Sequence, residues 1–173
     1  YLSEFSRHHA NGAKRGPRWL SDMRESAMAA FQERGFPTTH DEDWRYTSLD
    51  RITSVPFSMN RGEARSPSGG VVSDLACADL ECNRLVFVNG RYDARLSSIK
   101  DLPSGVRVES LGPLLDDNDG FLEPRLGRYA QSHEHPFIAL NSAFLTDGAL
   151  VFIPENCRLE EPVHLIYVSV ANG

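Results

Sequence analysis

Apolar positions recur at helical spacing in the front of this chain and as short continuous runs farther along it. Over residues 17–35, Trp19, Met23, Ala27 and Phe31 recur every four residues, while Arg24, Glu25, Gln32 and Glu33 fill the opposite positions. That spacing predicts an amphipathic helix with one core face. Pro17 suits its first turn, Gly35 supplies a left-handed stop, and Pro37 prevents resumption. A second helical start is predicted at Thr39. Thr39-x-x-Glu42 has capping-box spacing, and Asp41, Glu42 and Asp43 oppose the positive end of a helix. Trp44, Tyr46, Leu49 and Ile52 then give this short helix a face to bury.

Residues 53–73 are rich in Ser, Pro, Gly and Arg and read as a connector. Beyond it comes a short continuous apolar run. Leu85-Val86-Phe87-Val88 followed by Asn89-Gly90 is a hairpin signal, because both central residues of a type I′ turn need positive φ. The returning strand is expected to run from Tyr92 to about Leu96. Val106–Val108 reads as another strand, entered by the Pro103-Ser104-Gly105 turn. Residues 121–132 look helical. Pro136 opens a well-marked helix whose Phe137, Leu140 and Phe144 share a face, and Asp147-Gly148 ends it.

After Gly148 two strands are predicted, Ala149–Ile153 and Pro162–Val168, joined by a turn at Pro154-Glu155-Asn156. Two short strands around a Pro-bounded turn fit the first coil of a stacked parallel β-structure; a simple hairpin fits equally well. An apolar strand at 163–168 leaves an edge that native proteins cover. The pattern therefore predicts further strands beyond it, or a neighbour such as a second copy's edge. The domain reading is a helical region at 1–52, a linker at 53–75, a hairpin with helices at 76–148, and the start of a β-architecture at 149–173.

Composition changes this picture little. The 173 residues, 40% hydrophobic and 24% charged, are those of an ordinary globular protein. The net charge of −6 argues against non-specific nucleic-acid binding. Lys14-Arg15 with Arg18, beside His8-His9, reads as a solvated segment. No apolar run approaches the roughly 20 residues that span a bilayer, and the first residues are not a signal peptide. A cytoplasmic protein is expected. The cysteines, Cys77, Cys82 and Cys157, are odd in number and fit a reducing compartment; Cys77-x4-Cys82 is poor zinc spacing.

Candidate chemistry is sparse. The sequence contains no G-x-S-x-G elbow, no P-loop and no G-x-G-x-x-G; Ser68-Gly69-Gly70 lacks the lysine that would meet a phosphate. The one cluster that invites a metal is His133-Glu134-His135, read as an extended link ahead of Pro136. A third ligand would have to be His164 or Cys157. No catalytic, cofactor-binding or metal residue is assigned. The expectation is a scaffold without enzymatic activity, the alternative a small metal-binding protein using His133, His135 and the cysteines.

Gly35-Phe36-Pro37-Thr38, followed by Asp41-Glu42-Asp43-Trp44-Arg45-Tyr46-Thr47, resembles the opening signature of SufD proteins. The 85–92 hairpin, the Pro136–Phe144 helix, and Asp147-Gly148 with Ile153-Pro154 resemble that family's later landmarks, in the same order. The resemblance covers about Trp19 to Val168. It implies an α+β fold: a helical N-terminal region with a β-hairpin, leading into the first coil of a right-handed parallel β-helix. It further implies association with SufB- and SufC-like subunits in an iron–sulfur cluster assembly complex, with no cofactor of this segment's own and a cluster held transiently on the whole complex. The surfaces that pair with SufB and SufC are implied to lie downstream of this chain. Cys157 is assigned to no cluster.

Overall fold

The computed structural model describes residues 1–11, 16–56, 58–59, 72, 81–117 and 120–170. In chain order these form α1 (Leu2–Asn11), α2 (Arg18–Arg34), a 3-10 turn (Glu42–Trp44), α3 (Asp50–Thr53), β1 (Asn83–Val88), β2 (Arg91–Tyr92), β3 (Arg107–Ser110), α4 (Gly112–Asp116), α5 (Pro136–Ala143), β4 (Ala149–Phe152) and β5 (Val163–Val168). They build two units: Tyr1–Met59 with Leu115–Leu145, and Asn60–Leu114 with Thr146–Gly173. The segment expected as one piece at 76–148 thus contributes to both. Most of the expected linker, 53–75, lies outside the described residues.

The first unit is organised by α2 and α5. Pro17 caps α2 in an extended conformation, and Gly35, at φ +69°, donates its N–H to the Phe31 carbonyl. Only glycine adopts that conformation without strain. The inward ridge of α2 is Leu20, Arg24, Ala27, Met28 and Phe31. Ala27, Met28 and Phe31 pack on Ala139 and Ala143 of α5, whose small side chains let the helices approach. Phe5 of α1 and Tyr1 just before it close the cluster, with Phe31 and Phe36 edge to face at 5.0 Å. Burying a side chain such as Phe31 or Met28 contributes roughly 1.5–3 kcal/mol.

Several expectations fail here for identifiable reasons. Arg24 does not face away. It is 4% exposed, and its guanidinium Nε donates to the Leu145 carbonyl at 3.1 Å, which pays for its burial with a hydrogen bond. The Thr39/Glu42 capping box does not form. Asp41 instead takes the Thr38 N–H at 2.6 Å and its hydroxyl at 3.1 Å, so the helix is reduced to a single 3-10 turn. Leu49 is buried, but Tyr46 is 91% and Ile52 54% exposed: so short an element has no face long enough to bury all four residues. The stretch 121–132 is a chain of turns, not a helix. Gly120 and Gly127 both sit at positive φ, where a helix cannot continue.

In the second unit β1 is the central strand of a three-stranded sheet ordered β2-β1-β5. Asn89 and Gly90, at φ 48° and 78°, form the expected tight turn. β2 stops at Tyr92 instead of reaching Leu96, because Asp93 starts a new turn: its carbonyl accepts the Ser97 hydroxyl and its carboxylate the Arg95 N–H. β5 lies parallel to β1 with Asn83 opposite Val163 and Val88 opposite Val168. β3 and β4 form a separate antiparallel pair. The consecutive strands β4 and β5 therefore enter different sheets, which excludes the hairpin between them. Asp147 ties this unit together: one carboxylate oxygen accepts the Tyr92 N–H, the other the Ser110 hydroxyl and the Gly112 N–H.

Candidate interaction surfaces

In the first unit the signature stretch folds into one wall of a groove of about 440 Å³. The turn at 38–41 swings the chain back so that Trp44, half-buried, lies 5.5 Å from the Phe137 ring and 6.0 Å from His135. Phe36 meets the same Phe137 at 5.7 Å. Asp41, Glu42, Asp43 and Glu134 line the lip, with Arg34 as the one guanidinium. Arg34 donates to the Glu134 carbonyl at 2.9 Å. The Thr38 N–H and hydroxyl hold the Asp41 carboxyl below the usual carboxylate range, His40 adding a smaller attraction. Tyr46 stands outside the groove, with the Arg45 guanidinium 5.7 Å from its ring.

His135, singled out as a possible ligand, instead caps α5. It is extended, and its Nδ1 accepts the Phe137 N–H at 3.2 Å. Its neighbour Glu134 belongs to a turn, with its N–H on the Gln131 carbonyl, so the run 133–135 is not wholly extended. His133 is exposed. Cys157 and His164 belong to the other unit, where Cys157 packs against the buried cluster of Leu85, Phe87, Val106 and Val108. Cys82 and Cys157 are free thiols; Cys77 lies outside the described residues. Among the described residues no three His, Cys, Asp or Glu side chains gather to hold a metal.

The second unit offers a different surface. Leu85 and Phe87 of β1, Val108 of β3 and Val106 just before it form a buried layer between the sheets. Leu165 and Tyr167 stand beside Leu85 and Phe87 in the parallel register, and Val151 stands opposite Val108. All three therefore point into that same inner layer, as does Ile153 by alternation. Yet Val151 is 42%, Ile153 44%, Leu165 40% and Tyr167 61% exposed. The Tyr167 ring stacks on Phe87 at 4.9 Å. β5 pairs with β1 along one side and is the outermost described strand of its sheet. The strand itself was legible in the sequence; the exposure of its inward residues was not.

Nearly the whole chain, residues 1–165, matches the family model described as the SufBD protein N-terminal region. An iron–sulfur cluster assembly SufBD family protein of Synechocystis is 31% identical over 159 residues, covering 88% of this chain and 33% of that protein. The iron–sulfur cluster assembly proteins SufD of Bacillus subtilis and Escherichia coli are 23% and 33% identical, over 99% and 65% of this chain and 39% and 24% of their own lengths. The chain thus spans about a third of the length of the curated relatives it matches.

Proposed function

This chain belongs to the SufBD family through that family's N-terminal region, and on that premise we propose that it is the front portion of a SufD-type scaffold for iron–sulfur cluster assembly. The observation that carries the reading is the exposure of the inner-layer residues Val151, Ile153, Leu165 and Tyr167, the last two on β5, an outer strand of its sheet among the described residues. Monomeric proteins rarely leave such an apolar edge to water. In this reading further coils of a right-handed parallel β-helix stack on β4 and β5 and bury it. The parallel, in-register pairing of β5 on β1 and the entry of consecutive strands into separate sheets support that architecture.

The proposed role is to hold SufB- and SufC-like subunits by protein contacts, without turnover and without a resident cofactor in this segment. The free thiols Cys82 and Cys157 fit a reducing compartment such as the cytoplasm. Among the described residues no helix is long and apolar enough to cross a membrane. Size-exclusion chromatography of the full-length parent mixed with its SufB and SufC homologues tests the role. A single peak containing all three is expected; three separate peaks overturn the reading.

A further inference from the structure

The groove of the first unit has no part in the strand-edge reading, and its walls combine two chemistries. One wall is aromatic, built by Trp44, Phe36 and His135, each with its ring 5.5–5.8 Å from that of Phe137. The lip is acidic, with Asp41, Glu42, Asp43 and Glu134 against the single guanidinium of Arg34. That guanidinium is engaged by a backbone carbonyl, and Asp41 by Thr38. Glu42 and Asp43 are exposed, and among the described residues no ion pair reaches either of them.

Carboxylates left uncompensated above an aromatic face attract an organic cation. The ring quadrupole draws the positive charge, and a carboxylate accepts the two parallel N–H groups of a guanidinium fork. Arginine suits both better than lysine, because its planar group stacks and forks at once. A metal ion suits neither, since no three ligands converge among the described residues. The volume, about 440 Å³, lies within the range of roughly 300–1,000 Å³ typical of ligand clefts. We propose that this groove receives an arginine-bearing segment of a partner protein, its guanidinium lying against Trp44 and donating to Glu42 or Asp43.

Fluorescein-labelled Gly-Arg-Gly-Arg-Gly, its lysine counterpart and its glutamate counterpart, titrated onto the 173-residue chain by fluorescence anisotropy, test the site. The arginine peptide should bind more tightly than the lysine peptide, and the glutamate peptide not at all. In ¹H–¹⁵N spectra with the unlabelled arginine peptide, the Trp44 indole resonance should move while that of Trp19 stays. Replacing both lip acids, Glu42→Gln with Asp43→Asn, should weaken binding about tenfold or more. The matched pair Glu155→Gln with Glu160→Gln, exposed in the other unit, should leave it unchanged. All four positions are exposed, so folding is preserved. Equal weakening by the two pairs, or a still Trp44 resonance, would reduce the binding to general attraction by an acidic protein and overturn the proposal. The result is independent of whether the parent associates with SufB and SufC homologues.

Discussion

Arg24 shows how a single residue departs from its pattern. Charge alone puts it on the solvent side of α2, but its position in the i, i+4 ridge with Leu20 and Met28 puts it inside. Burial pushes its guanidinium below the usual arginine range, partly offset by attraction to Asp116. Truncation would strand the Leu145 carbonyl. Arg24→Ala should therefore lower unfolding free energy by about 2–3 kcal/mol in urea titrations, the cost of losing a charge-assisted bond to a buried acceptor. Asp41 acts at the opposite, exposed extreme. Hydrogen bonds from Thr38 depress its folded-state pKa, so its contribution to the 38–44 turn is complete above the ordinary carboxylate range. It is lost as pH falls through the depressed value. The Thr38 amide resonance should report that transition at a pH below the ordinary carboxylate range, and Asp41→Asn should abolish it.

The elements that local chemistry specifies formed where expected. α2 stops at Gly35 and the β1–β2 turn falls on Asn89-Gly90, because in both the backbone needs positive φ, which few residues tolerate. Gly90→Val should cost roughly 1–2 kcal/mol or more through that strain alone. Loss of the Asn89 amide bonds to Val170, which clamp the end of β5, should accompany it as faster exchange of the Val170 amide. Weaker signals misled. The spacing of Thr39 and Glu42 allowed a capping box, but Asp41 reaches Thr38 first and draws the chain into a tighter turn. Residues 121–132 carry a helical composition that Gly127, at positive φ within the stretch, and Gly120, at positive φ just before it, cancel. His135, which spacing marked as a metal candidate, serves as a helix cap, a use that the Pro136 start could have signalled.

At the scale of the whole molecule the exposed inner layer of the second unit makes a measurable demand. The chain alone should self-associate through the β5 edge as concentration rises. Leu165→Lys with Tyr167→Lys should shift sedimentation equilibrium toward monomer while leaving the β1 amides protected, because both side chains are already 40% and 61% exposed. A concentration-independent monomer in the unaltered chain would show that this edge is tolerated as it stands. Periodicity, turn residues and caps determined α2, α5, the hairpin and the strands, since those depend on neighbours within a few positions. The landmark residues also carried the family. Pairing is non-local, so only the tertiary structure decided that β5 lies parallel to β1, across 80 residues of chain, that β4 turns to β3 instead, and that Arg24 finds its acceptor at Leu145. The groove arose in the same way: residues near 34–44 and 134–136 share it only because α2 and α5 are packed together.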